Sequence, residues 1–380
     1  MSGKASIVSL SIITAMLLLA GLLVLLVLAS APLYFALTGV GLVLFLYVCY
    51  RIIAQLGGQR TVAAPMRSSL GDLVFMCIVV VIASAIPVLS FIYFYELISG
   101  SLPTILAFGF SFVTTSVFDS INNVYGVYPE LMGSLVTTAI ALLIGVPVSI
   151  GVAVFLSEVS PGRIRPVLSF LVEMLAAVPS VVYGIWGLFI LAPFLAHDVY
   201  PSVEHYLGFI PIFSCPDTFK PCYFYTTDVM SAGIILSIMM IPIIAAISRD
   251  ALQSVPDSQR EAAYALGATK SEAVNMSVLS YARPGVIAAV FLGFARAYGE
   301  TMAVTFLIGN ATVFSASLFS PGYTLAAIIA NQFTEATGPL NTSALIEAGL
   351  LLLAVSFAAS FLGRLIIRRF VKSREASSLI

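Results

Sequence analysis

Residues 131–161 read LMGSLVTTAIALLIGVPVSIGVAVFLSEVSP, and no charged side chain falls between Leu131 and Ser157. Roughly 20 apolar residues in a helix cross a bilayer core of about 30 Å, so this stretch is long enough to span. Its apolar residues run continuously rather than alternating over about 10 residues, which favours a helix over a membrane barrel strand. Outward from it lie similar runs at Ile7–Leu28, Ala31–Tyr50, Leu70–Leu97, Leu168–Leu195, Val229–Ile247, Pro284–Ile308 and Ala344–Ile367. With Leu131–Leu156 they predict eight membrane helices and an all-α integral membrane protein.

The chain of 380 residues is 60% hydrophobic and 9% charged, whereas soluble domains carry about 25% charged residues. Water would not solvate such a surface. A net charge of -1 sets up no field for nucleic acid or an acidic partner. Polar residues in the spans are too sparse, and the loops too short, to build a covered Ser-His-Asp or paired-carboxylate centre.

Charge placement gives the topology. Lys4, Arg51, Arg60, Arg67, Arg163, Arg165, Arg249, Arg260, Lys270, Arg283, Arg364, Arg368, Arg369, Lys372 and Arg374 fall on one side, and only Lys220 on the other. Lys and Arg are retained on the cytoplasmic face. Both termini are therefore expected inside a multi-pass plasma-membrane protein, with the loops around 98–130, 196–228 and 309–343 outside. Ala29-Ser30-Ala31 also fits a signal-peptide cleavage site, although the first run exceeds a usual signal core and one lysine precedes it. The expected organisation is a transmembrane hairpin at 1–50, a cytoplasmic linker at 51–69 with Gly57-Gly58 and Pro65, a six-helix body at 70–370, and a cytoplasmic tail at 371–380.

Cys49 and Cys77 lie in apolar runs, whereas Cys215 and Cys222 bracket PDTFKP in a loop expected outside. A disulfide is permitted there, two free thiols being the alternative. His197 and His205, with Asp198 and Glu204, lack metal-ligand spacing, so no metal is expected.

The longest inner connection, 248–283, carries a helix start at Pro256-Asp257-Ser258, a strong helix former at Glu261–Leu266 and a glycine stop at Gly267. A short helix, a turn and a second helix are predicted. Glu261-Ala262-Ala263, three residues and then Gly267 resemble the EAA loop of ABC importer permeases. The resemblance implies that this short helix sits in a cleft of an ATPase subunit. The family's later Ile-x-Leu-Pro is replaced by Ser277-Val278-Leu279-Ser280, with Pro284 following. No GxxxxGK[ST] loop occurs, Gly3-Lys4 being followed by Ala5. ATP and magnesium then belong to a partner ATPase, and this chain is a permease subunit rather than an enzyme.

Arg296 lies within a span, roughly 20 Å from Arg283 at 1.5 Å per residue. An arginine at the bilayer centre costs about 2.5–3.5 kcal/mol, so it marks a pathway or is paired. Glu300, four residues on, shares its helical face. One reading is a salt bridge that locks helices. The other is an anion conduit in which Arg296 faces phosphate oxygens, Glu300 partly neutralises it and Thr301 lies alongside. Glu173 is either a further pathway group or reaches cytoplasmic water. Pro179-Ser180 either breaks its helix, exposing carbonyls to the conduit, or kinks it.

The stretch 293–310, GFARAYGETMAVTFLIGN, closely resembles the matching helix of PstC-type phosphate permeases of ABC importers. Met302-Ala303 stands where the sister PstA-type subunit follows Gly-Glu-Thr with Ala-Pro. Residues 131–161 and 173–187, EMLAAVPSVVYGIWG, are similar to the same family. The resemblance covers about 70–370 and implies a six-helix type I permease core, to which the N-terminal hairpin is additional. It further implies phosphate as substrate, a second homologous PstA-type permease, PstB-type ATPase subunits, an extracytoplasmic PstS-type phosphate-binding protein and a lipid surround. The rival readings are a permease for sulfate, molybdate or tungstate, an ATP-independent secondary transporter using Arg296 and Glu300 as an ion relay, and a structural or sensory subunit.

Overall fold

The computed structural model describes residues 70–215 and 224–377. The expected hairpin at 1–50, the linker at 51–69 and Cys222 lie outside the described residues. The chain divides into two compact units, Met1–Ser99 and Gly100–Ile380.

In chain order, α1 spans Leu70–Phe108 and is followed by a small antiparallel hairpin, β1 Phe118–Asp119 with β2 Val124–Tyr125. The Asp119 carboxylate closes that turn by accepting from the Ile121 and Asn122 amides at 2.8 and 3.2 Å. Then come α2 Tyr128–Val159, α3 Arg165–Ala176, α4 Ser180–Leu207, α5 Val229–Gln253, α6 Asp257–Ala265, α7 Lys270–Tyr298, α8 Met302–Leu307, α9 Leu325–Gln332 and α10 Pro339–Ser377.

Five of these helices are long and apolar enough to cross a membrane: α2, α4, α5, α7 and α10 over Pro339–Arg368. The chain is a multi-pass membrane protein of the all-α class, the two-residue strands being its small departure from that class.

Local chemistry sets the helix ends. Pro129 opens α2, where a missing amide proton costs nothing. Asp228 and Ser231 form a reciprocal capping box at the start of α5, and Thr269 with Glu272 does the same for α7. α10 begins at Pro339, where a missing amide proton again costs nothing. The helix runs on to Ser377, well into the stretch expected as a tail.

The core of the second unit is the pairing of α2 with α5. A Cβ on Gly233 would sit 2.6 Å from Ile140 Cγ2, so these backbones approach at a distance only glycine allows. Around that seam Ala141, Ile235, Leu236, Met240 and Ile244 pack with Ala289 of α7 and Leu307 of α8. By contrast α10 buries Ala344, Leu345 and Ala348 in its first part and leaves Phe357, Phe361, Leu362 and Leu365 exposed further on.

Two predicted spans are interrupted. The one expected over Leu168–Leu195 breaks between Ala176 and Ser180, and its second part extends to Leu207. That extension draws His197 and His205, expected in a loop, into helix. The span expected over Pro284–Ile308 ends at Tyr298 and resumes at Met302.

Candidate functional site

The two interruptions lie on helices that pack together. At the first, Pro179 adopts an extended ψ of 140°, and α3 stops there because proline offers no amide proton to its ladder. The carbonyl of Leu175 at the end of α3 accepts from the Val178 amide at 3.4 Å and from the Tyr183 hydroxyl, on the first turn of α4, at 2.9 Å. Ser180 is the first residue of α4 and is half-buried.

At the second, α7 ends at Tyr298, Gly299 leaves helical geometry at φ -90° and ψ 1°, and Thr301 is the cap residue before α8. The Glu300 carboxylate accepts from the Ala303 amide at 3.4 Å and caps α8. The Thr301 carbonyl accepts from the Thr305 hydroxyl at 2.8 Å. At Gly184 of α4 an added Cβ would lie 2.7 Å from Phe306 Cδ2 and 3.0 Å from Ala303 Cα, so α8 rests directly on α4.

Arg296 is exposed on the last turn of α7, and its charge is within electrostatic reach of the Tyr183 hydroxyl. Arg249 and Arg260 form ion pairs with carboxylates, whereas Arg296 forms none among the described residues. The expected Arg296–Glu300 pair is therefore not formed in this conformation. Their four-residue spacing aligns side chains only on continuous helix, and the break at Gly299 turns Glu300 toward α8. Arg296, Tyr183, Glu300 and Thr301 thus gather around two adjacent helix breaks, where freed backbone groups and one unpaired cation meet.

Glu173 belongs elsewhere. Its carboxylate lies 3.0 Å from Arg249 Nη1, joining α3 to α5, and Arg249 also grips Asp250 at 2.7 Å. The Glu173 side chain is 53% exposed and that of Arg249 is 11% exposed, so Glu173 holds a partly buried arginine at a solvent-reached edge.

The loop after α5 forms the predicted short helix α6, and Gly267 takes a φ of +83°, a conformation natural to glycine. Glu261 and Ala262 are exposed and Ala263 is half-buried, while Leu266 is 90% exposed. Beside α6 runs a groove of about 850 Å³ lined by Ala262, Ala263, Gly267, Met276 and Tyr281 among others. A projecting helix with small side chains and an open flank has the shape of a docking knob.

Two residues escaped the sequence reading. Tyr183 carried no signal beyond following Pro179 by one turn. Arg260 counted only as a basic loop residue, yet it bonds Glu158 at 2.8 and 3.2 Å across 102 positions of sequence. The Glu158 hydrogen bonds hold its guanidinium above the ordinary arginine value, against desolvation, with Asp257 adding to them. Cys215 is disulfide-bonded.

A family model described as the binding-protein-dependent transport system inner membrane component matches residues 145–372. The phosphate transport system permease protein PstC of Pasteurella multocida is 42% identical over 277 residues, covering 73% of this chain and 85% of that protein. The chain belongs to the PstC family of phosphate transport permeases. A probable PstC from Methanocaldococcus jannaschii is 37% identical over 276 residues, covering 71% of this chain and 85% of its own. Among solved structures, a bacterial alginate ABC transporter with an alginate-bound periplasmic protein aligns at a TM-score of 0.52 with 16% identity. That alignment covers 80% of this chain and 99% of that one. At that identity the likeness bears on the fold alone, and the fold is that of an ABC transporter permease. The family-model match over residues 145–372 takes in both helix breaks and α6.

Proposed function

We propose that the chain is the transmembrane permease subunit of an ATP-driven inorganic phosphate importer, moving the anion by alternating access. The similarity to PstC proteins over 277 residues carries this reading. The chemistry of the broken helices supports it. Arg296 and the freed backbone amides offer positive character in an apolar setting, as discontinuous helices do in other transporters, and Arg296, Thr301 and Ser180 would line the conduit. Unit charges 4 Å apart attract by about 4 kcal/mol at an effective dielectric of 20. An unmodulated arginine would retain a phosphate dianion, and Glu300, four residues on in the chain, would weaken that hold.

The coupling surface is Glu261, Ala262, Ala263 and Gly267, docked on a PstB-type ATPase that carries ATP and magnesium. The other half of the conduit is a PstA-type permease, and an extracytoplasmic PstS-type protein delivers phosphate and sets selectivity against other oxyanions. Both termini are cytoplasmic in this arrangement, which puts α6 on the inner face. Cys215 then pairs with Cys222 on the oxidising side.

Uptake of radiolabelled phosphate by vesicles holding the assembled transporter, in competition with sulfate, molybdate and tungstate, tests the substrate. Competition by unlabelled phosphate alone is expected. Equal or stronger competition by another oxyanion would reassign it.

A further inference from the structure

The Arg260 side chain donates five hydrogen bonds. Its Nε and Nη2 meet the two Glu158 oxygens at 3.2 and 2.8 Å. Its Nη2 also reaches the Leu252 carbonyl at 3.1 Å, and Nη1 reaches the Val255 carbonyl at 2.6 Å and Asp257 Oδ1 at 3.1 Å. A guanidinium has five N–H donors in a fixed fork, and all five are used.

The acceptors come from three places. Glu158 belongs to the π-helical last turn of α2, Phe155–Val159. Leu252 is in the final turn of α5 and Val255 follows it, so their carbonyls include groups the helix end leaves over. Asp257 starts α6 itself. The Arg260 and Glu158 side chains are only 19% and 10% exposed, so water competes weakly for these bonds. From the other side, the Ser277 hydroxyl donates to the Gln259 carbonyl at 2.9 Å. The knob is thus fastened at its root while its exposed flank stays open.

We infer that Arg260 and Glu158 form the joint through which a force on α6 moves α2, making Arg260 the positioning residue for coupling. This rests on the importer reading for its functional consequence. A π-helical turn is a departure from the α ladder that is frequent at functional sites, and this one, Phe155–Val159, sits at the point where α2 receives the pull. Since α2 packs on α5 at the close approach of Gly233 to Ile140, a displacement delivered there reaches the body rather than being absorbed in a loop.

The test uses the full transporter with its partner subunits in lipid vesicles. Nitroxide labels are placed at the exposed positions Ser258→Cys and Val159→Cys, with Cys49 and Cys77 changed to serine. In the otherwise native chain the label distance is expected to be narrow and unchanged by ATP. In Glu158→Gln and in Arg260→Lys, which keeps the charge but has three donors, it should broaden or shift with ATP. Phosphate imported per ATP hydrolysed should fall at least tenfold while hydrolysis continues. A narrow, ATP-invariant distance in both variants, or an unchanged uptake per ATP, would overturn the joint. If the native complex hydrolysed ATP without importing phosphate, the importer reading would fail, and the distance measurement would still decide the joint. Should Glu158→Gln fail to assemble, Arg260→Lys alone carries the comparison.

Discussion

The Tyr183 hydroxyl stands 2.9 Å from the Leu175 carbonyl oxygen and donates to it, so one phenol closes the gap between the end of α3 and the start of α4. The break at Pro179 is therefore held open in a fixed shape. Tyr183→Phe should lower stability by about 0.5–1.5 kcal/mol, the net value of one such bond. Thermal unfolding of the purified chain in detergent measures this. An unchanged midpoint would mean that the carbonyl finds water as an equal partner.

Gly184 is where α4 and α8 touch. Valine there would drive carbon into Phe306 and Ala303, contacts already at 2.7 and 3.0 Å for a single Cβ. Overpacking of this kind costs about 1–3 kcal/mol. The same unfolding assay should show a loss of that size, together with reduced phosphate uptake as the two breaks are pushed apart. Unimpaired uptake by Gly184→Val would show that their spacing is not critical.

Glu173→Gln should do little. The pair with Arg249 is exposed on the Glu173 side, and Arg249 keeps Asp250. Such pairs contribute about 0.2–1 kcal/mol and weaken in salt. Uptake within a few-fold of native is expected. A large fall in uptake at unchanged stability would return Glu173 to the anion path.

Glu300→Gln separates cap from charge. The amide oxygen can still accept from the Ala303 amide, now bonded at 3.4 Å, so stability should hold. Removing the negative charge leaves Arg296 less restrained, and phosphate should bind more tightly and leave more slowly. In initial-rate uptake both KM and the maximal rate should fall together. No change in either would confine Glu300 to its capping role.

The sequence made the membrane spans legible because hydrocarbon demands continuous apolar length, and α2 and α5 appear near their predicted positions. It also made the shape of α6 legible, since Pro256 and Gly267 are strong punctuation. The break at Pro179 was among the alternatives because proline disrupts a ladder by its covalent form. The break at Gly299 was not foreseen. A glycine within a helical pattern is tolerated at about 1 kcal/mol, and the Arg296–Glu300 spacing imitates a helical pair. Arg260 was invisible for a different reason: its main partner, Glu158, lies 102 residues away, and no local pattern reports a contact made by the packing of α2 beside the root of α6.

The most direct test of the central claim is ATP-dependent uptake of radiolabelled phosphate by vesicles containing this chain with its partner permease, ATPase and binding protein, native against Arg296→Gln. The account predicts uptake that requires ATP and falls at least tenfold in Arg296→Gln while the complex assembles and hydrolyses ATP, a loss of about 1.4 kcal/mol or more of transition-state stabilisation. Phosphate uptake independent of ATP, or undiminished by Arg296→Gln, would contradict it.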